Sequence, residues 1–506
     1  MVVTTRIGSL GLTPNRLDPT YYRPEHLRDC ELRALWARES LDELRASSAP
    51  IVYGVLKPDD RGAKFRVAKA ERFDGMFVSA ADCDPVSEEL FREFGRAEAV
   101  DGDLLVAIGG YVGRPAMLRL EDGLRVVVNR HLARVRIDTG RVDSGWVLAY
   151  FSSPLGERQL AREITGSVQA GINLCDLRLV EVPLPASEAQ RYIGDKVRQA
   201  GRLRARARTM RHRLNTLLNL PHVTDALRTA DRRANRVPSA NLNNRLDAKY
   251  YGRRAMNVLE SVSRSSVELG SLVENVSNGF EHRNFSDLGT PYITVAEVSG
   301  GRLALTTAPR LGPNVPIPEK AKIDTRCVLV VRTGSIGVAV PVFEDDTCAA
   351  ISSHLIRLRY KSEQEAAVVA AFLNSDAGRV LLQKISYGAV QPQIGQDELL
   401  SLPLPRALIE QSSAIHVALK AEDACLRAVE RLVSSAKLLV EYLIDGRLSE
   451  ADLIAAQKGL EAGKRDADRA VLQSLRQGDG ADAPPLIPDL DGLYALLDEP
   501  DEGSGP

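Results

Sequence analysis

Apolar positions along the 506-residue chain switch between two periods. Short unbroken or alternating apolar stretches that run into glycine predict strands: Leu104-Leu105-Val106 before Gly109-Gly110, Val328 to Val331 before Gly334, Ala133 to Ile137, and Ile356 to Tyr360. Apolar residues at steps of three and four predict two long helices. One series is Ile193, Val197, Ala200, Leu203, Ala207, Met210, Leu214 and Leu217; the other is Ile415, Leu419, Leu426, Val429, Val433, Ala436, Val440 and Leu443, with polar Glu422 in one slot. Each persists for about four heptads, as a coiled-coil seam does. Each also follows a Pro-x-Pro exit, Pro183-Leu184-Pro185 or Pro403-Leu404-Pro405, which disfavours helix and forces extended chain.

The two series belong to a longer repeat. Arg16-Leu17-Asp18-Pro19-Thr20-Tyr21-Tyr22 returns as Arg245-Leu246-Asp247-Ala248-Lys249-Tyr250-Tyr251. The strand at Leu104 and its turn, Gly109-Gly110-Tyr111-Val112-Gly113, match the strand at Val328 and Gly334-Ser335-Ile336-Gly337. Asn129-Arg130-His131-Leu132 matches Ser352-Ser353-His354-Leu355, and Gly166-Ser167-Val168-Gln169 matches Gly388-Ala389-Val390-Gln391. Conserved order makes duplication the better explanation than chance. The expected organisation is mixed α/β: a first domain over 1–187, its helix over 188–220, a linker over 221–240, a second domain over 241–405, its helix over 406–446, and a tail over 447–506.

An ordinary amphipathic helix packed on its own domain explains either seam alone. Two equivalent helices after two equivalent domains most simply pair antiparallel. At ~1.5 Å per residue a 30-residue helix spans ~45 Å, about the length of 13 base pairs of DNA.

Charge changes the picture locally. The balance of 66 basic against 67 acidic residues offers nucleic acid no bulk attraction. From Glu188 to Arg236, however, 13 basic residues face four acidic ones, with arginine at 202, 204, 206, 208, 211 and 213. Such spacing cannot confine them to one helical face, so some meet solvent, a partner or phosphate. After Leu448 the tail carries 13 acidic and five basic residues; a helix over about 449–477, then a largely disordered end with a short helix near Leu490 to Leu497, is expected. No membrane-length apolar run or signal-peptide core appears, so the expected location is cytoplasmic. The six dispersed cysteines suggest reduced core residues, not disulfides or zinc ligands.

Catalytic constellations are missing. There is no phosphate loop, HExxH, GxSxG or kinase set, and no Asn/Asp-Pro-Pro-aromatic loop of the amino-methyltransferase type. Gly109 to Gly113 is half a dinucleotide fingerprint, but its repeat at Gly334 favours a structural turn. Glu319-Lys320-Ala321-Lys322 could be stretched into a nuclease motif, yet lacks an upstream acidic partner. His131 and His354 occupy one place in both copies and either order a turn or face nucleic acid.

The ordered blocks resemble the specificity subunit of type I restriction-modification systems, or of a related methylation-associated phage-defence system, over about residues 10 to 446. The resemblance is strongest at Pro291-Tyr292-Ile293, Val330 to Gly337 and Tyr387 to Ile394. It implies a non-catalytic subunit with two target recognition domains for an asymmetric bipartite DNA site. It also implies two adenine methyltransferase (modification) subunits as partners, which bring S-adenosylmethionine, and room for a motor nuclease subunit; the chain itself needs no cofactor or metal. Ala107-Ile108-Gly109 departs from Val331-Arg332-Thr333, so no role of Arg332 transfers to the first copy, and the acidic tail lies outside the common pattern. Loop residues expected to contact DNA are Lys57, Arg61, Lys64, Arg114, Arg130, His131 and Gln169 in the first copy. In the second they are Arg283, Asn284, Arg332, Ser335, His354, Tyr387, Gln391 and Gln393. Glutamine pairs bidentately with adenine, although loop-ordering bonds explain the three glutamines equally well. A divergent nuclease or methyltransferase, and a scaffold binding protein or tRNA, remain the competing readings.

Overall fold

A computed structural model describes residues 19–500 apart from 56, 122, 167–169, 232–233, 240–241, 244, 246, 300, 389, 477 and 479–482. The chain forms two compact units: one combines 1–204 with 427–506, the other is 205–426. The division falls inside both long helices, Ser187–Leu217 and Ser412–Ile444, and places the tail with the first domain.

In the first unit Leu104–Ala107 is a fully buried strand, antiparallel to Pro115–Arg119 and Leu132–Val135. Beside this sheet lies a second, in the order Asp84–Pro85, Phe65–Ala68, Arg125–Val128, Glu98–Ala99, whose central pair is parallel. The second unit repeats the first arrangement: Cys327–Val331, buried throughout, is antiparallel to Ala339–Pro341 and Leu355–Tyr360. Continuous β-branched and aliphatic runs form these strands because both faces are covered.

Helices follow the strands in the same way in both copies. Ser153 caps Pro154–Arg162 and Ser375 caps Asp376–Ile385 through the amides of Gly156 and Gly378. Both glycines lie against backbone: an added Cβ would sit 2.1 Å from the Tyr150 oxygen in one copy and 2.1 Å from the Phe372 oxygen in the other. The Pro-x-Pro exits pair as short strands, Arg38–Ser40 with Glu181–Pro183 and Ser266–Glu268 with Pro403–Pro405. Tyr21 and Tyr22 meet edge to face at 5.0 Å, as do Tyr250 and Tyr251. A cation covers each pair, Arg162 at 3.7 Å from the Tyr21 ring and Lys384 at 3.0 Å from the Tyr250 ring. Burial, helped by neighbouring Arg245, lowers the Lys384 ammonium to about 8.

The first long helix buries Ile193, Val197, Ala200, Leu203, Ala207, Met210 and Leu214, all in the expected series. The second differs from its predicted series. It buries Ile415, Glu422, Val429, Ala436, Val440 and Leu443 of that series, but also Ala418, Cys425, Leu432 and Leu439, while Leu419, Leu426 and Val433 are only half-buried. Two apolar series one position apart overlap on this helix. Periodicity alone cannot rank them, and the smaller Ala418 and Cys425 face inward. Glu422 is satisfied in its buried slot by the Arg211 guanidinium, whose Nε donates to it at 2.7 Å.

The tail also differs from expectation. Gly463, at φ 73°, ends one helix, Glu450–Glu461, before Asp466–Ser474 begins, and a third helix spans Leu490–Asp498. These pack on the first unit through Asp468, 1% exposed, which pairs with Lys196 Nζ at 2.5 Å and accepts from the Tyr192 and Tyr494 hydroxyls at 2.7 and 2.6 Å. All six cysteines are free, but only Cys83, Cys327 and Cys425 are core residues; Cys30 is half-buried, and Cys175 and Cys348 are exposed. Among the described residues no helix is long and apolar enough to cross a membrane.

Candidate nucleic-acid interface

In the second unit the buried strand Cys327–Val331 leads into a loop cluster fixed by backbone bonds. The Arg332 amide donates to the His354 carbonyl at 2.9 Å, and the Arg332 carbonyl accepts from the Ile394 amide at 2.9 Å. Tyr387 and Gln393 exchange both backbone bonds, at 2.9 and 2.7 Å, closing the loop between them. The Gly334 amide reaches the Pro392 carbonyl at 3.1 Å, joining the glycine turn to that loop. Gly388, at φ 94°, permits the sharp reversal, and a Cβ there would lie 2.6 Å from the Gln391 carbonyl. Six predicted residues thus meet in one place: Ser335, His354, Tyr387 and Gln391 exposed, Arg332 and Gln393 half-buried.

The first unit has the same frame. The Ile108 amide donates to the His131 carbonyl at 2.8 Å and its carbonyl accepts from Ile172 at 3.0 Å. Thr165 and Gly171 exchange bonds at 2.8 and 3.0 Å, with Gly166 at φ 92° in the place of Gly388. The side chains on it differ. Ile108 stands for Arg332, Gly109 for Thr333, Tyr111 for Ser335, Thr165 for Tyr387 and Gly171 for Gln393. Gly109 yields its space to the His131 ring, since a Cβ would lie 2.5 Å from Nδ1. His131 Nε2 accepts from Arg130 Nε at 2.9 Å, and the Arg114 guanidinium lies 5.6 Å from the centre of the exposed Tyr111 ring. Gln169 lies outside the described residues.

Other predicted residues separate from this cluster. Lys57 follows Val55, which accepts from the Arg130 amide at 2.8 Å, so that loop starts beside Arg130. Lys64 sits at the opposite end of the same parallel pair, where its carbonyl accepts from the Arg125 amide at 3.1 Å. The four-residue strand that separates it from Arg130 is about 13 Å long at ~3.3 Å per residue. Arg61 belongs with Lys64: its amide and that of Ser87 both turn to Asp59. In the second unit, Ser353 donates to the Phe280 carbonyl at 3.1 Å, so the loop bearing Arg283 and Asn284 starts beside His354. Arg283 carries a carboxylate partner, Glu281 at 2.5 Å, and the Asn284 carbonyl contacts His282 Nε2 at 2.6 Å.

Two pairs of arginines were not anticipated. Arg136 holds Asp103 through two bonds of 2.8 Å, and Arg359 holds Asp324 at 2.8 Å. Buried Arg134 donates to the carbonyls of Pro50 and Arg96, and buried Arg357 to those of Glu319 and Lys322 and to Asn275 Oδ1 at 2.8 Å. Burial lowers the Arg134 pKa from its ordinary value. These groups brace the strand below each loop cluster. Their signal was visible as alternate arginines in two matched strands, Arg134-Val135-Arg136 and Arg357-Leu358-Arg359. The bond from Arg357 also gives Glu319 to Lys322 a structural role, with Glu319 and Lys322 paired at 2.8 Å.

Among the described residues no three His, Cys, Asp or Glu side chains gather as a metal site. The class defined by this geometry is a duplicated α/β scaffold that presents two differently furnished copies of one polar loop cluster. No protein-family model matches the chain. It is similar to the type I restriction enzyme EcoBI specificity subunit of Escherichia coli, 26% identical over 165 residues, which span 32% of this chain and 34% of that protein. The match thus covers about a third of the curated relative's length. Among solved structures, the S subunit of a type I restriction-modification system from M. genitalium aligns with a TM-score of 0.41 at 12% identity, over 82% of this chain and 96% of that one. The HsdS subunit of Thermoanaerobacter tengcongensis gives 0.26 at 17% identity, over 82% and 97%. A chain from a study of complex assembly and conformational transition in the type I R-M system gives 0.26 at 15%, over 81% and 96%.

Proposed function

We propose that this chain is the non-catalytic, sequence-reading subunit of a type I restriction-modification complex or a related methylation-associated defence system. The observation that carries this reading is the duplicated frame itself. Identical backbone bonds hold Ile108, Thr165 and Gly171 in one copy and Arg332, Tyr387 and Gln393 in the other. A fixed backbone with exchanged side chains suits two readers of different sequences, hence an asymmetric bipartite target. Sequence similarity to a specificity subunit supports the same conclusion.

In this reading Arg332, Ser335, His354, Tyr387, Gln391 and Gln393 read one half-site, and Arg114, Arg130, His131 and Gln169 the other. Lys57, Arg61, Lys64, Arg283 and Asn284 anchor phosphates around them. The long helices pair antiparallel as a spacer, an arrangement supported by the Arg211 to Glu422 bond and by Leu214, Ile415 and Ala418 sharing one core. Two methyltransferase subunits bring S-adenosylmethionine and perform the chemistry in the cytoplasm, and a motor nuclease can join them. Selecting the full chain, with its methyltransferase, on random duplexes tests the reading: a two-part motif is expected. Arg332→Ile should relax one part alone, at a cost of about tenfold in affinity for a lost bidentate contact to a base. Binding without sequence preference would refute it.

A further inference from the structure

The loop closed by Tyr387 and Gln393 carries a side chain that its polar surroundings do not explain. Val390 is 99% exposed, the most exposed of the large apolar side chains among the described residues. Single exposed aliphatic residues are ordinary on protein surfaces. This one stands on a loop whose stem is tied by four backbone bonds: the two between Tyr387 and Gln393, Gly334 to Pro392, and Ile394 to Arg332. The stem of the loop is thus ordered before any partner arrives, which lowers the cost of presenting residues from it. The same loop carries exposed Tyr387 and Gln391, and its stem bonds join it to half-buried Arg332 and to the glycine turn that bears exposed Ser335. An apolar knob among hydrogen-bonding groups and a cation matches a duplex groove edge, where the thymine 5-methyl is the apolar feature among donors and acceptors.

We propose that Val390 is a specificity-determining residue that contacts the 5-methyl group of a thymine in the half-site read by the second unit. The inference rests on the DNA-reading function proposed above. It adds a base-specific apolar contact to the polar contacts that Arg332, Gln391 and Gln393 supply. Removal of the valine methyls leaves the fold intact, because the side chain packs on nothing in the free protein.

The test uses the full chain and the motif selected from random duplexes. Each thymine of the motif is replaced singly by deoxyuridine, which removes only the methyl group, and affinity is measured by gel shift. Wild-type protein should lose about fourfold at one thymine, the value of one buried methyl-sized group. Val390→Ala should bind the parent duplex about fourfold more weakly and be indifferent to deoxyuridine at that position. Val390→Ile should retain the sensitivity. A motif whose thymines tolerate deoxyuridine in the wild type, or a Val390→Ala protein that responds as wild type does, overturns the contact and leaves the DNA reading standing. Failure to select any motif overturns both.

Discussion

The two loop clusters share a backbone and almost nothing else. In each, the residue after a buried strand donates to a histidine carbonyl and accepts from a buried isoleucine, Ile172 or Ile394. Glycine at 166 and at 388 turns the closing loop with φ of 92° and 94°. Yet one cluster presents Ile108, Gly109, Thr165 and Gly171 where the other presents Arg332, Thr333, Tyr387 and Gln393. Backbone bonds set the frame without reference to side chains, so the side chains are free to diverge. Glycine is retained only where a turn or close approach excludes any Cβ. The units also differ outside the clusters, because only the first carries the three C-terminal helices.

That last difference can be broken most strongly at Lys196. Its pair with Asp468 is nearly inaccessible, with side chains 2% and 1% exposed, and two tyrosine hydroxyls complete the carboxylate's shell. Removing one partner leaves a buried charge uncompensated. Lys196→Met should lower the stability of the first unit by about 3 to 5 kcal/mol. Segment-resolved hydrogen exchange should show the loss in peptides around 189–200 and 466–474 and leave those around 355–373 unchanged. Adding Asp468→Leu should recover much of the loss; no recovery would mean that packing, not charge, dominates there.

Equivalence of the frames is tested at Gly156 and Gly378. A Cβ at either meets a carbonyl oxygen at 2.1 Å, so the helix start must shift. Gly156→Ala and Gly378→Ala should each cost about 2 kcal/mol, the usual scale of overpacking, and should match each other closely. Exchange protection in 144–162 and in 363–385 measures the two costs. A marked inequality would show that the copies brace this contact differently.

Much of this plan was legible in the sequence. Duplicated order located both strands, both glycine turns, both closing loops and both long helices, because each requires residue types that few alternatives satisfy: unbroken aliphatics, positive-φ glycine, Pro-x-Pro. What stayed hidden depended on three-dimensional partners. Choosing between Leu419 and Ala418 as a buried position requires the opposing surface, since both fit a helical period. The docking of the tail stayed hidden because Asp468 could not be paired with Lys196 across 272 residues of sequence. Arg61 and Lys64 were grouped with Arg130 because strand direction, which separates them, is not written in a list of basic residues. Val390 passed unremarked because an apolar residue gives no sign of its exposure.

The smallest expected effect contrasts two buried carboxylates, Asp468 and Glu422, that pair with cations of the first long helix, Lys196 and Arg211. In the first unit burial opposes ionisation of Asp468, but Lys196 and the hydroxyls of Tyr494 and Tyr192 outweigh it and hold the carboxyl below its ordinary value of 3.8. In the second unit burial outweighs Arg211 and Arg302, with Asp423 adding to it, and Glu422 is held above its ordinary value of 4.5. The signs therefore oppose. A depressed carboxyl contributes stability that is present above 3.8 and lost as pH falls through its folded value. A raised one contributes most below 4.5, and that contribution is lost as pH rises through its folded value. On acidification from pH 7, exchange protection, corrected for intrinsic rates, should first rise slightly around 210–217 and 415–425. Protection around 466–474 should hold until the pH drops below 3.8 and then fall. Glu422→Gln should abolish the first response and Asp468→Asn the second. If both segments lose protection together in the wild type and in Glu422→Gln, the carboxylates titrate alike, and the contrast between the two buried slots is refuted.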